Sequence, residues 1–295
     1  AALDQKALAE VLQVVSVDTG VSGTGGDVTL QPLRVKATFA GKQIPNSPAE
    51  VVLNTDTQFN LKKQTLSMRN LSLQGLGVNV AGDVSASRIL TETPAVSGKL
   101  DAKGSDLALL FKLAGIEPLA TQLAGLDNRS FDIKTGVEAD LEKGTVKVSN
   151  LDAHLLGAAI QGQVDASNIQ SKTPSAKGKL KASGPDLPAL LQLAGQFETG
   201  EEPKLAEYGK RLAKLADKSF DVNAEFDADL NKGNYNVPTL AAKTLGINLT
   251  GQMKATAFNS DNGKVDGKFS LQGEKLAGVL AALDQGALGE VLQSV

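Results

Sequence analysis

Acid–base, nucleophilic and metal chemistry draw on histidine, cysteine and paired carboxylates, and this 295-residue sequence offers few of them. Cysteine is absent, which removes thiolate nucleophiles, zinc ribbons and disulfides together. His154 is the only histidine. It stands where two similar stretches of the chain have Gln74 and Lys243, so it reads as a solvated strand residue, not as a ligand or general base. Glu138 and Asp140 come nearest to a carboxylate pair. They alternate with apolar residues and return as Asp227 and Asp229, the pattern of a charged strand face. The glycine-rich run from Ser22 to Asp27 lacks the Gly-Lys-Ser/Thr of a phosphate loop, and Asn259 to Gly263 lacks the spacing and final Glu of a calcium loop. The sequence specifies no catalytic centre, no metal site and no cofactor, and it reads as that of a non-enzyme.

The bulk properties narrow the remaining classes. With 41% hydrophobic and 21% charged residues, the chain has the composition of a folded protein with a sizeable core. Its 30 basic and 33 acidic residues are interspersed and only 4% of residues are aromatic, so neither a basic patch nor a stacking platform for nucleic acid is present. No stretch approaches the roughly 20 continuous apolar residues that span a bilayer, and no signal peptide pattern occurs. The sequence opens without Met inside a helical pattern, Ala1 to Leu12, which reads as a piece of a longer protein.

The elements that would position a site are signalled by repetition. Leu61, Gly77, Gly82, Pro94 and Gly115 recur as Leu141, Gly157, Gly162, Pro174 and Gly195, a constant step of 80 residues. A step of 89 residues then carries Phe131, Lys143, Gly157, Gly162 and Gly178 to Phe220, Lys232, Gly246, Gly251 and Gly267. The added residues fall around Thr199 to Lys210. Residues 281–292 nearly copy residues 1–12. The predicted organisation is a partial unit over 1–50, then units over 51–130, 131–219 and 220–295, the second with an extra helix. Periods of this length signal stacked supersecondary modules.

Within a unit, Phe131, Ile133, Val137, Ala139 and Leu141 alternate with Asp132, Lys134, Gly136, Glu138 and Asp140, the period of two of a strand with one apolar face. The same register returns from Phe220 to Leu230 and over Val51, Leu53, Phe59 and Leu61. Lys143-Gly144 and Lys232-Gly233 mark turns, where Gly accepts positive φ. Four such strands form a meander that ends in a helix. Asp186 and Asp106 are the N-caps, and Gly195 and Gly115 the C-caps. In the extra helix, Leu205, Tyr208, Leu212, Leu215 and Ala216 form a stripe that packs on the sheet.

The segments Asp140 to Gly157, Ile160 to Ser167, Ser175 to Leu180 and Asp186 to Leu191 resemble the AsmA-like family of Gram-negative envelope proteins, over about residues 51–295 with 1–50 a partial match. The resemblance implies a periplasmic β body anchored in the inner membrane by a segment outside this chain. It implies a groove that moves phospholipid toward the outer membrane, with envelope proteins as further partners. The expected fold class is therefore mainly β: tandem antiparallel meanders plus short helices, forming an elongated, twisted, groove-shaped sheet.

The residues point to such a surface by themselves. A sheet with a continuous apolar face must cover it with helices, close into a barrel, or leave it for an apolar ligand. One or two helices per four strands are few, and small residues such as Gly162, Ala166, Gly178 and Ala182 are expected to leave room for acyl chains. The expected lining residues are Phe131, Ile133, Val137, Ile160, Val164 and Leu180, with Phe220, Val222, Phe226, Leu249, Met253 and Phe269 further on. The rival readings are a non-catalytic scaffold that binds protein clients by strand addition, and an outer-membrane barrel, which the near-absence of Tyr and Trp argues against.

Overall fold

Segments of alternating polarity separated by Gly-containing turns fold as hairpins, and this chain strings them together. The computed structural model describes residues 11–41, 44, 47–113, 116–126, 128–171, 173–195, 205–258, 260, 262–273, 276, 278 and 279. The elements are β1 (Leu12–Thr24), β2 (Asp27–Phe39), β3 (Ala49–Asn60), β4 (Thr65–Gly75), β5 (Val78–Ser87), β6 (Ala95–Gly104), α1 (Leu107–Leu113), α2 (Glu117–Ala124), β7 (Phe131–Asp140) and β8 (Thr145–Leu155). They continue with β9 (Ala158–Ser167), β10 (Ser175–Gly184), α3 (Leu187–Ala194), α4 (Leu205–Leu212), β11 (Phe220–Asp229), β12 (Asn234–Thr244), β13 (Ile247–Thr256) and β14 (Lys264–Gln272). The protein is mainly β, and the strands follow one another in sequence order as an antiparallel meander in which β1 and β14 are the ends.

The chain divides into two compact units, Ala1–Leu155 with Ser167–Gln170, and Leu156–Ala166 with Ser171–Val295. In the first unit the register runs unbroken from β5 through β6 to β7. It is interrupted by bulges between β3 and β4 and between β7 and β8, beside Asn70 and Asn150, whose φ values are 52° and 50°. Asn tolerates this left-handed conformation better than other non-Gly residues. Thr55 and Thr135 sit at the two bulges, and each hydroxyl donates to the carbonyl across it, of Arg69 and of Ser149.

Hairpin turns have a fixed chemistry. The β4–β5, β8–β9 and β12–β13 turns are Leu76-Gly77, Leu156-Gly157 and Leu245-Gly246, with φ of 53° and 76°, 56° and 82°, 55° and 78°. Positive φ at both central residues matches the right-handed strand twist, but Leu is an unusual first residue. Packing offsets the strain at Leu245, which is buried with Leu212 of α4, Ile247 and Val279. The β3–β4, β7–β8 and β11–β12 turns are closed by Asn60, Asp140 and Asp229, whose side chains accept from the N–H of Lys63, Lys143 and Lys232.

The helices start where the Asp caps were expected: Asp106 accepts from the Leu109 N–H at 3.0 Å and Asp186 from the Ala189 N–H at 2.9 Å. Gly195 does occupy the end of α3, but with φ of −62°, so left-handed freedom is not its reason. A Cβ there would lie 2.5 Å from the Ala206 nitrogen, and glycine lets α4 approach α3. A second helix was expected only in the middle sequence unit; α2 shows that the preceding one also has two. The α4 stripe is shorter than expected, since Leu215 and Ala216 follow the helix, although Leu215 still packs on the core of its unit. Leu61, Leu141 and Leu230 belong to turns and not to strands. The expected helices over 1–12 and 281–292, and Gly115, fall largely or wholly outside the described residues.

Candidate functional site

Strand alternation assigns each side chain to a face, and cross-strand register carries the assignment from strand to strand. In the first unit one row reads Val35, Leu53, Leu73, Val80, Ala102, Ile133, with each residue opposite the next. The neighbouring register positions on the other face include Lys103, Asp132 and His154, again mutually opposite. The second unit behaves alike: Ala182, Val222, Ala242, Leu249 and Leu271 form one row. On the reverse face Lys177 opposes Asp227, and Lys179 opposes Glu225 with an ion pair of 3.1 Å. Each unit therefore presents one apolar and one polar face.

The expected lining residues distribute as follows. Phe131, Ile133 and Val137 share the apolar face of the first unit; Phe131 is 6% exposed and the other two are half-buried. In the second unit, Leu180, Phe220, Val222, Phe226, Leu249, Met253 and Phe269 share the apolar face by register. Ile160 and Val164 join it through the contacts of Gly162 with Leu180 and of Gly178 with Val164. Phe220 is 6% exposed and Phe269 57%, the remainder being half-buried. The difference follows position: Phe220 begins β11 beside Gly184, whereas Phe269 lies on β14, which among the described residues has a neighbour on one side only.

The glycines on this face do not leave the open pits expected of them. A Cβ on Gly178 would lie 3.1 Å from Cζ of Phe226, and one on Gly184 2.7 Å from Cε1 of Phe220. Gly104 stands in the same relation to Phe131, at 2.5 Å, and Gly251 to the Phe269 ring. An aromatic side chain from the next strand lies over each glycine, a pairing that restores packing where a glycine has none of its own. Above Gly162 the space is taken by the Lys179 carbonyl and the Leu180 side chain. The face is thus smooth.

Deep burial is concentrated at the strand ends that meet helices. In the second unit Leu212, Leu245, Ile247 and Val279 form a buried cluster, with Leu191, Leu215 and Leu276 packed on it. The middle of the apolar face, from Val222 to Phe226 and from Leu249 to Met253, stays half-buried. Thr55 and Thr57 of β3, 3% and 7% exposed, are the exception in the first unit, and the Thr57 hydroxyl has no hydrogen-bond partner there. Sequence reading missed these two; of the face residues Val35, Leu53, Leu73 and Val80 it had Leu53 alone, as an alternating strand residue and not as lining. The signal for the apolar four was the alternation already used for β7.

Titratable groups are structural. Glu138 does not pair with Asp140; Asp140 instead meets Arg88 at 2.5 Å and Lys143 at 3.4 Å. Burial is the largest influence on the Asp140 carboxyl and pushes its pKa up, but the Lys143 N–H, the Arg88 charge and the Lys143 ammonium outweigh it and hold the pKa below its ordinary value. The Lys232 N–H is the main cause of the same lowering at Asp229. His154 is exposed, 3.9 Å from Asp152. Among the described residues no group of three or more His, Cys, Asp or Glu could hold a metal ion, and no helix is long and apolar enough to cross a membrane. Comparison of the chain with protein-family models, with curated proteins and with solved structures finds no match.

Proposed function

We propose that this chain is a non-catalytic, acyl-chain-binding body of an AsmA-like envelope protein. It would be periplasmic, anchored in the inner membrane through a segment outside this chain, and would support phospholipid transport and outer-membrane biogenesis. The observation that carries the reading is the apolar face of each unit, continuous along the register and, apart from the buried Thr55 and Thr57 of the first unit, half-buried in its middle. Monomeric proteins rarely expose apolar patches beyond a few hundred Å², and a larger one marks an interaction surface. A smooth strip of aliphatic side chains and flat phenyl rings suits alkyl chains, which need contact area and no hydrogen bonds.

The modular part of the reading is also a proposal: a partial module over 1–50 and modules over 51–130, 131–219 and 220–295, forming a twisted, groove-shaped sheet. Its support is local backbone geometry. Gly82 and Gly162, one sequence step apart, both have φ of 156°. The second pair of turn positions also agrees, with Gln64, Gly144 and Gly233 at 52°, 61° and 63°.

The test is native mass spectrometry and organic extraction of the purified chain after expression in a Gram-negative periplasm. Bound phospholipid at near-stoichiometric amounts is expected. A chain free of lipid, and unable to take up a fluorescent phospholipid from vesicles, overturns the proposal. The second reading, a scaffold binding protein clients by strand addition, is favoured by the outer side of β1, which pairs with no strand among the described residues, and predicts co-purifying protein in place of lipid.

A further inference from the structure

We propose that the polar face of the first unit binds a small carboxylate, held by the Lys99 ammonium and the Asn150 side-chain amide where Gly136 leaves room for it. This goes beyond the lipid reading, because Lys99 and Gly136 alternate with Leu100 and Val137 and so lie on the face opposite the apolar one. The ground is one register position that recurs in three strands. Asp56 of β3, Gly136 of β7 and Glu225 of β11 each stand beside a bulge in the pairing with the following strand. The two acidic residues are both engaged: the Asn70 amide donates to Asp56 at 2.8 Å, and Lys179, directly opposite Glu225, pairs with it at 3.1 Å.

At β7 both donors recur and the carboxylate does not. Lys99 stands opposite Gly136 as Lys179 does opposite Glu225, and Asn150 holds the left-handed position at the β7–β8 bulge that Asn70 holds at the β3–β4 bulge. Asp83, opposite Lys99 on its other side, accepts instead from the Asn70 N–H at 3.0 Å. Among the described residues Lys99 forms no ion pair and the Asn150 side chain no hydrogen bond.

The missing side chain leaves a cavity of about 380 Å³, lined by Ala81, Lys99, Asp101, Lys134, Gly136 and Asn150 among others. Lys134 is engaged with Asp101 at 3.8 Å, so these two charges offset each other and Lys99 sets the sign of the site. A carboxylate with a short alkyl body fits this lining. Its oxygens take an N–H of Asn150 and the ammonium of Lys99, charge-assisted contacts stronger than neutral ones, and its carbons cover the Ala81 methyl.

Sodium propionate is the probe, titrated into the whole chain beside sodium chloride and sodium phosphate at equal ionic strength, with the side-chain amide signals of Asn150 followed by heteronuclear NMR. Asn150→Gly identifies those signals by their loss and keeps the backbone, since glycine adopts the φ of 50° without strain. Propionate should shift them saturably, with half-saturation at millimolar concentration, as suits a ligand held by two polar contacts. Chloride should not. Gly136→Asp supplies the carboxylate from within the chain, and should move the Asn150 signals toward their propionate-saturated positions and abolish further response. A Cβ there meets only the Ser149 hydroxyl closely, at 2.6 Å, and a hydroxyl can turn away. Lys99→Gln, at an exposed strand position, should raise the half-saturation concentration about tenfold, and it decides alone if Gly136→Asp fails to fold. An equal response to chloride would reduce the site to charge screening, and tighter saturation by phosphate would assign it to a tetrahedral oxyanion. A propionate response that survives Lys99→Gln unchanged would put the ligand elsewhere. Each of the three overturns the carboxylate site and leaves the lipid reading untouched.

Discussion

Phe226 lies over Gly178, directly opposite it in register, with the Cζ of the ring 3.1 Å from where a Cβ would be. The same position lies 2.5 Å from the Gln163 carbonyl oxygen of the strand on the other side. A methyl group there meets backbone on one side and a ring on the other. Gly178→Ala is therefore expected to destabilise by about 1–3 kcal/mol, as overpacking does. Phe226→Leu in the Gly178→Ala background should recover part of the loss, because it removes one of the two clashes. Thermal unfolding of the three variants checks this; equal stability of Gly178→Ala and the unaltered chain would refute the stacked arrangement.

A buried hydroxyl without a partner is a liability that substitution can remove. Thr57 is 7% exposed, its Oγ1 is unpaired, and Val137 stands at the corresponding place one sequence step later. Thr57→Val keeps the shape and removes the desolvated hydroxyl. The expected gain is about 1 kcal/mol, set by the cost of leaving a buried polar group unsatisfied. Urea unfolding measures it, with an unchanged m-value as the sign that the unfolding transition is otherwise the same.

Much of this architecture was legible in the residues, for identifiable reasons. The period of two in Phe131–Asp140 and Phe220–Asp229, bounded by Lys-Gly turns, fixes strands and faces because any slip by one residue would put Asp and Lys on the apolar side. The caps Asp106 and Asp186 were readable because the side-chain acceptor acts within its own turn. What could not be read depends on neighbours distant in sequence. The space above Gly178 is decided by a ring 48 positions away, on β11. Gly195 reads as an ordinary helix terminator until α4 is placed against it. Helix α2 has too few residues, with a Pro in its first turn, for its periodicity to stand out. The burial of Thr55 and Thr57 follows from the bulged register of β3, and threonine gives no sign of it.

The two turn carboxylates give the fold an acid limit whose sign is set by their lowered pKa values. A group whose folded pKa lies below its unfolded value contributes stability that is fully present above the unfolded pKa and is lost as pH falls through the folded one. Asp140 and Asp229 both lie below the ordinary 3.8, held there against burial by the Lys143 N–H and Arg88 in one case and chiefly by the Lys232 N–H in the other. The melting temperature of the unaltered chain should therefore drop as pH is taken below about 4, near the ordinary carboxylate range. The D140N/D229N variant should melt lower than the unaltered chain at neutral pH and show a flatter dependence below it. Asn60, which closes the β3–β4 turn in the same way, indicates that an amide keeps the turn hydrogen bond. Parallel pH profiles for the two proteins would mean that other groups set the acid limit.

Gln252 and Met253 are adjacent on β13 and point to opposite faces, Gln252 opposite Lys268 and Met253 opposite Gly267. Gln252 is exposed and Met253 half-buried. A carboxylate at either position has nearly the same intrinsic effect on the strand, so the pair separates the role of the face from the role of the backbone. If the apolar face holds acyl chains, Met253→Asp puts a charge into a dry site at a cost of several kcal/mol to the complex. Affinity falls about tenfold for each 1.4 kcal/mol lost, so lipid recovered by extraction should fall by an order of magnitude or more. Gln252→Asp should leave it unchanged and should even gain from the neighbouring Lys268. Far-UV circular dichroism and melting of Met253→Asp should match those of Gln252→Asp, because a half-buried residue on an uncovered face can turn its carboxylate to water once lipid has left. Unfolding of Met253→Asp would mean that side chains fill this face as a closed core, and equal lipid content in the two variants would place the ligand elsewhere.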